Sequence, residues 1–150
     1  MDGFGISYWF FSTINPAAKI FGTAFILQGL IFLLIGILNN KVEFVFKKDI
    51  YSYIGLLFIT IGTIIYPVIS YFMGHIYPES PTFGLPCPTT IFTFGVLLMS
   101  IRLPKVAIII PFLWSIIGFT AALKFGVWED VLLIIAGFIS LFLLLYKNKK

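Results

Sequence analysis

Residues 50–73 read IYSYIGLLFITIGTIIYPVISYFM and contain no charged side chain. A helix needs about 20 predominantly apolar residues to cross the hydrocarbon core of a bilayer, and this run is long enough to do so. It therefore predicts a membrane-spanning helix. Pro67 predicts a kink in the last third of that helix, because proline lacks a backbone donor and its ring clashes with the preceding turn.

The composition of the whole chain indicates the same environment. Of its 150 residues, 60% are hydrophobic and only 11% are charged, and the mean hydropathy is +1.08. Soluble domains are about half apolar and about a quarter charged. So few charges cannot cover a surface that faces water, and the sequence therefore predicts an integral membrane protein.

Composition also excludes some classes of partner and site. The ten basic residues form no patch interleaved with aromatic side chains, so nucleic acid is not an expected partner. The single cysteine rules out an intramolecular disulfide and a Cys-x-x-Cys redox pair.

Four further apolar runs accompany residues 50–73. Together they predict an all-α, polytopic transmembrane helix bundle of about five spans, forming one domain over residues 1–150. The five predicted spans are residues 17–38, 50–73, 89–101, 106–123 and 130–146. Residues 4–14 are apolar and aromatic but too few to cross. We expect them to form an interfacial helix or to be the remnant of a further span.

A polar, proline-rich loop at residues 74–90 separates the second span from the third. It holds the only histidine, the only cysteine and four of the eight prolines. Residues 91–101 are too short to span on their own, so the third span must take in Thr89, Thr90 and part of the loop. We therefore expect the loop to re-enter the membrane, where irregular backbone is tolerated only inside protein or beside a wet cavity.

Basic residues set the predicted orientation, because cytoplasmic loops carry an excess of Lys and Arg. Only Lys19 and Lys124 fall on one side of the predicted bundle. The other eight fall on the opposite side: Lys41, Lys47, Lys48, Arg102, Lys105, Lys147, Lys149 and Lys150. We expect a multi-pass protein of the plasma membrane with a cytoplasmic C-terminus and an outward-facing loop at residues 74–90.

Glycines recur every seven residues in the first two spans, at Gly22, Gly29 and Gly36 and at Gly55 and Gly62. A seven-residue repeat keeps one stripe of a helix facing a partner, and small residues let helix backbones approach closely in lipid. The pattern predicts that the first two spans pack together as a tight antiparallel hairpin.

Cys87 and His75 are the candidates for metal or redox chemistry. Cys87 lies between Pro86 and Pro88 at the predicted start of the third helix, where the helix dipole favours a thiolate. The alternative is an inert packing residue in a rigid turn. His75 and Cys87 supply only half of the protein ligands that a copper or zinc site needs. His75 is equally interpretable as an interfacial histidine or a pH sensor, and no other cofactor is indicated.

The remaining candidates for a ligand site or pore carry hydroxyl or amide groups: Tyr77, Thr89, Thr90, Thr93 and Gln28. A helix N-terminus aimed into a membrane cavity attracts anions, and the threonines continue from it along the helix. Alternatively, the threonines cap the helix or bond back to its carbonyls, and Gln28 bonds to a neighbouring helix.

The loop also carries a resemblance to a known family. The stretch PTFGLPCPTT at residues 81–90 resembles the bacterial membrane-protein family known as domain of unknown function 6064. Asn15-Pro16-Ala17-Ala18, Pro111-Phe112-Leu113-Trp114 and Glu129-Asp130 are also similar to the pattern of that family. The resemblance implies a multi-span membrane protein and no known activity. Family members are longer, which implies that this chain lacks the family's N-terminal spans.

No catalytic motif such as GxSxG, HExxH or a Walker loop is present, so no catalytic residue is predicted and the sequence does not favour an enzyme. We expect a component of a small-solute or ion transporter or channel, with its site at residues 74–93. The alternatives are a metal- or redox-responsive membrane protein and a non-catalytic structural subunit of a membrane complex. The expected partners are the lipid bilayer and either a second copy of this chain or another membrane subunit.

Overall fold

The computed structural model describes residues 17–38, 43–74, 84–101, 106–125 and 128–147, and in the first of these helices the side chains of residues 22–34. The predictions for residues 4–14, His75 and Tyr77 lie outside the described residues. The chain divides into two compact units, residues 1–41 and 42–150. The described residues form five α-helices and no strand, in agreement with the predicted all-α class.

The first unit contains one helix, α1, from Ala17–Leu38. Its sequence has no proline after Pro16 and is apolar except for Lys19, Thr23 and Gln28. Gln28 is buried, whereas the leucines around it, such as Leu27 and Leu30, are about half exposed.

In the second unit, the long helix α2 runs through Ile50–Phe72. Asp49 caps its N-terminus, where the side chain accepts a hydrogen bond of 2.8 Å from the backbone N–H of Ser52. Residues Ile61–Ile65 form a π-helical turn that ends two residues before Pro67. The extra residue in that turn changes the direction of the side chains that follow it. The predicted irregularity at Pro67 is thus a π-turn.

Helix α3, Pro86–Leu98, is short and largely buried. At 1.5 Å per residue it is about 20 Å long. It starts and stops three residues earlier than the predicted span of 89–101. Pro86 and Pro88 suit the first turn of a helix, where their missing N–H groups have no intrahelical partner. The chain leaves the helix after Leu98 because residues 99–101 pair instead with residues 43–45: Val45 N–H donates to Met99 O, and Ile101 N–H donates to Glu43 O.

Glycines set the spacing between α2 and α3. A Cβ at Gly55 would lie 2.7 Å from the carbonyl oxygen of Gly95, and one at Gly62 would lie 2.6 Å from that of Pro88. The glycine stripe of the second span therefore faces α3. The prediction directed this stripe toward the first span, but at Gly55 and Gly62 it meets α3. A regular spacing of glycines does not specify which helix they meet.

Two further helices complete the second unit: α4, Val106–Phe125, and α5, Val131–Lys147, which a 3₁₀ turn at Trp128–Asp130 precedes. Their close contacts pair Gly118 with Leu133, and Gly137 with Ser115, so the two helices run antiparallel. Successive helices from α2 to α5 alternate in direction. One end of this unit therefore gathers the C-terminus of α2 and the N-termini of α3 and α5.

Two of the described helices are long and apolar enough to cross a membrane: Ile50–Phe72 and Trp128–Lys147. The other described helices contribute shorter apolar stretches, Gly22–Leu34, Pro86–Leu98 and Val106–Thr120. Length and composition thus indicate two candidate spans.

Candidate functional site

A pair of buried carboxylates lies at the start of the last helix. Glu129 is 2% exposed and Asp130 is 6% exposed, whereas the neighbouring Trp128 is 61% exposed. The 3₁₀ turn at Trp128–Asp130 directs the indole outward and the two acidic side chains inward. A buried carboxylate is stable only when hydrogen bonds or charges satisfy it, so its partners define the environment of the site.

Tyr66 is the first partner of Asp130. It follows the π-turn of α2 and is completely buried. Its hydroxyl donates a hydrogen bond to Oδ1 of Asp130. Residues 66 and 130 are far apart in the sequence, and the bond therefore joins the C-terminal part of α2 to the N-terminus of α5.

Cys87 is the second partner. Its thiol donates to Oδ2 of Asp130 at an Sγ–O distance of 3.5 Å. A thiol that donates to a carboxylate is held in its protonated form, because a thiolate would place two anions side by side. This arrangement opposes the effect of the helix dipole, on which the expectation of a reactive thiolate depended.

We call Tyr66, Cys87 and Asp130 the Asp130 cluster. Its three members come from three different helices, and each oxygen of the carboxylate accepts one hydrogen bond. Among the described residues, no cationic side chain interacts with Asp130. The positive ends of α3 and α5 lie on the same side of the unit as Asp130, and helix N-termini favour negative charge. Neutral donors and helix dipoles are thus the groups of the described part of the chain that hold the carboxylate.

The threonines of α3 bond to the backbone of their own segment. Thr90 donates from Oγ1 to Pro86 O at 2.7 Å, and Thr93 donates to Thr89 O at 2.8 Å. The hydroxyl of Thr89 accepts from the N–H of Gly84 at 3.1 Å. The three hydroxyls are therefore engaged with main-chain groups in the capping and back-bonded arrangement.

The other predicted site residues do not join this cluster in the described structure. His75 and Tyr77 lie outside the described residues, and Gln28 belongs to the first unit, where it is buried. Within the described ranges, no group of three or more His, Cys, Asp or Glu side chains is arranged to hold a metal ion.

Sequence patterns identified Cys87 but not its two partners. Asp130 enters the sequence argument only as the start of the predicted span 130–146 and in the Glu129-Asp130 resemblance. Tyr66 enters it only as one residue of the apolar run 50–73. The available signal was the Glu129-Asp130 pair at the start of an apolar run, since ionisable residues within or next to a membrane span often mark a functional site. Tyr66 carries no comparable signal, because its direction depends on the π-turn.

The profile of the family of unknown function DUF6064 matches residues 3–150. The chain belongs to the DUF6064 family. No curated protein and no solved structure matches the chain. Two of the segments on which the resemblance to DUF6064 rested, the Pro-Cys-Pro-Thr-Thr stretch and the Glu129-Asp130 pair, meet at the Asp130 cluster. The family description gives no activity, so any function must be argued from that geometry.

Proposed function

We propose that this DUF6064 chain is a multi-pass plasma-membrane protein of about five spans that acts in the transport of a small solute or ion. Its site is the Asp130 cluster together with the start of α3 and the loop ahead of it, residues 74–93. The observation that carries the proposal is the buried carboxylate of Asp130, held by Tyr66 and Cys87 from two other helices.

The surfaces of the helices support a membrane environment. Only 28% of the apolar window of Ile50–Phe72 and 39% of that of Trp128–Lys147 is buried, so both helices present apolar side chains outward. Phe72 is 82% exposed and Phe142 is 71% exposed. In water such surfaces promote aggregation, whereas lipid covers them without penalty. The lipid bilayer is therefore the first partner in this proposal, and a second copy or another membrane subunit is compatible with it.

An acidic residue in this setting favours a transport role over a purely structural one. Placing a carboxylate in a membrane protein interior is costly, and such residues commonly mark pathways for ions, protons or substrates. A structural bond between helices is obtainable from neutral side chains at less cost. The charge distribution predicts that the cluster lies on the outward half of the protein, where a solute from outside first meets it.

The three side chains of the Asp130 cluster are hydrogen-bonded to one another. This favours a second candidate function, that of a structural subunit in which the cluster only holds the helices together. In that case, Asp130 contributes to stability and nothing else. The metal- or redox-responsive alternative receives less support, because the thiol of Cys87 is turned toward a carboxylate as a hydrogen-bond donor.

A flux screen in proteoliposomes tests the transport proposal. The full chain is reconstituted and challenged with gradients of protons, alkali cations, halides and small neutral solutes. We expect a flux that Cys87→Ala and Tyr66→Phe reduce strongly. Tyr71→Phe is the matched control, because Tyr71 lies on the same helix but is 62% exposed.

Thr89→Val extends the screen to the start of α3. Thr120→Val is its control, because Thr120 is exposed on α4 and its hydroxyl donates to Ile117 O. If Cys87→Ala, Tyr66→Phe and Thr89→Val all transport like the wild type, the site assignment is wrong. If the wild-type chain moves none of these solutes while remaining folded, the structural-subunit interpretation is favoured.

A further inference from the structure

The two hydrogen bonds to Asp130 suit a carboxylate that changes its protonation state. Oδ1 accepts from the hydroxyl of Tyr66, and Oδ2 accepts from the thiol of Cys87. Together with the positive ends of two helices, these donors stabilise the anion. Low exposure, 6% for Asp130, acts in the opposite direction, because burial in apolar surroundings disfavours a charge.

In the described part of the chain, few charged or titratable groups lie around Asp130. Helix α2 contributes Tyr66, α3 contributes Cys87, and the turn that carries Asp130 contributes Glu129. The described side chains of α4 include no titratable group. The neighbouring Glu129 also disfavours a second negative charge at Asp130. Since no cation among the described residues fixes the carboxylate in its ionised form, a single proton is the smallest ligand that neutralises it.

A proton also fits the hydrogen-bonding geometry better than a metal ion does. When Asp130 is protonated, its O–H is a donor and the hydroxyl oxygen of Tyr66 is able to accept, so the bond between α2 and α5 reverses without being lost. Within the described ranges, no group of three or more His, Cys, Asp or Glu side chains surrounds Asp130 to complete the ligand set of a metal ion.

We propose that Asp130 is an exchangeable proton-binding group, and that the proton is the ligand, or one of the ligands, of this site. The inference deepens the proposed transport function and rests on it for the outward location of the cluster. The step is a proton transfer in which an external proton forms a bond to a carboxylate oxygen of Asp130 and is later released from it. No redox partner is required, and the thiol of Cys87 keeps its proton throughout.

Infrared difference spectroscopy of the full chain in lipid tests this directly, because a protonated carboxyl group has a carbonyl stretch that a carboxylate lacks. On acidification we expect a reversible protonated-carboxyl band in the wild type. The band is absent in Asp130→Asn and retained in the matched control Glu129→Gln. Tyr66→Phe removes one donor to the anion, so the midpoint of the band moves up by about one pH unit, a tenfold change in proton affinity.

Three results would overturn the inference: no titrating band in the folded wild type, a band that survives Asp130→Asn, or a band that only Glu129→Gln removes. If Asp130→Asn does not fold, Asp130→Glu replaces it, and an unchanged midpoint in that variant contradicts the assignment. The spectroscopic measurement tests the proton site and the flux measurement tests transport, so each claim can be contradicted without the other. Titration of Asp130 in a protein that shows no flux supports the proton site and refutes transport. Flux in a protein whose Asp130 does not titrate supports transport and refutes the proton site.

Discussion

An ionisable side chain lies near each end of the last helix of the second unit, Asp130 at one end and Lys147 at the other. The two side chains are held in different ways. Asp130, just before α5, accepts hydrogen bonds from the side chains of Tyr66 and Cys87. Lys147, at the other end of α5, donates 2.7 Å hydrogen bonds to the carbonyl oxygens of Leu98 and Ser100.

The surroundings of Lys147 provide interaction partners for its positive charge. Its partners are the carbonyls of Leu98, the last residue of α3, and of Ser100 just beyond it, and the C-terminal end of a helix attracts a cation. Its ammonium group lies 5.0 Å from the centre of the Tyr51 ring. The negative charge of Asp49 lies close enough to interact with it. A small cavity of about 100 Å³ lies beside them, and its lining includes Lys147, Asp49, Lys47 and Ser52. Asp130 has no opposite charge among the described residues. This contrast supports the proposal that the lysine end is structural and the acidic end functional.

The largest effect should come from a change that disturbs both ends together. A Cβ at Gly95 would lie 2.5 Å from the carbonyl oxygen of Gly55 and 2.9 Å from the backbone nitrogen of Ile59, so Gly95→Ala must push α2 and α3 apart. We expect a loss of about 3 kcal/mol or more in the free energy of unfolding, measured by denaturation in mixed micelles. Gly29→Ala is the control, since a Cβ there meets nothing within 4 Å. Equal stability of the two variants would contradict the described α2–α3 crossing.

Removing the acidic side chain alone should have the next largest effect. Asp130→Ala leaves the buried hydroxyl of Tyr66 without its acceptor, and an unsatisfied buried polar group costs about 1–3 kcal/mol. In the double variant with Tyr66→Phe, part of that loss should be recovered, because the stranded hydroxyl is also gone. A double-mutant cycle measures the coupling. Additive effects would show that the two side chains do not interact.

The lysine end should be less sensitive. Lys147→Met removes the donors to Leu98 O and Ser100 O but leaves carbonyls that water can reach from the end of the helix. We expect a loss of about 1 kcal/mol, together with unchanged activity for each folded molecule. Lys147→Arg keeps the charge and donors and should recover most of the stability. A larger loss than that of Asp130→Ala would reverse the ranking of the two ends.

The smallest effect concerns the cap of α2. Burial acts to raise the pKa of Asp49, but hydrogen bonds with Ser52 and the charges of Lys147 and Lys47 outweigh it, so the pKa lies below its ordinary value. Asp49 therefore stabilises the fold above its unfolded pKa of about 4, and this contribution is lost as the pH falls through its lower folded value. Asp49→Ala should lose about 1 kcal/mol at neutral pH. Asp49→Ser keeps a cap but should lose the acid dependence, and an unchanged acid dependence would exclude Asp49 as its source.

The helical class and the approximate helix positions follow from the apolar runs, and Pro86 and Pro88 mark a helix start that local chemistry explains. The Asp130 cluster depends on contacts between residues that are distant in the sequence, such as Cys87 and Asp130, and no local periodicity reports them. The direction of Tyr66 further depends on a π-turn that its apolar sequence does not specify. The glycine pattern likewise indicates close packing at Gly55 and Gly62 but does not specify that α3 is the helix they contact.

The most direct test of the contrast between the two ends is proton entry into proteoliposomes after an external acid jump, measured with an enclosed pH-sensitive dye. Asp130→Asn and Lys147→Gln are compared with the wild type at equal amounts of folded, reconstituted protein. The account predicts that Asp130→Asn abolishes proton entry, whereas Lys147→Gln retains the wild-type rate for each folded molecule. Wild-type entry in Asp130→Asn, or an equal loss in both variants, would contradict it.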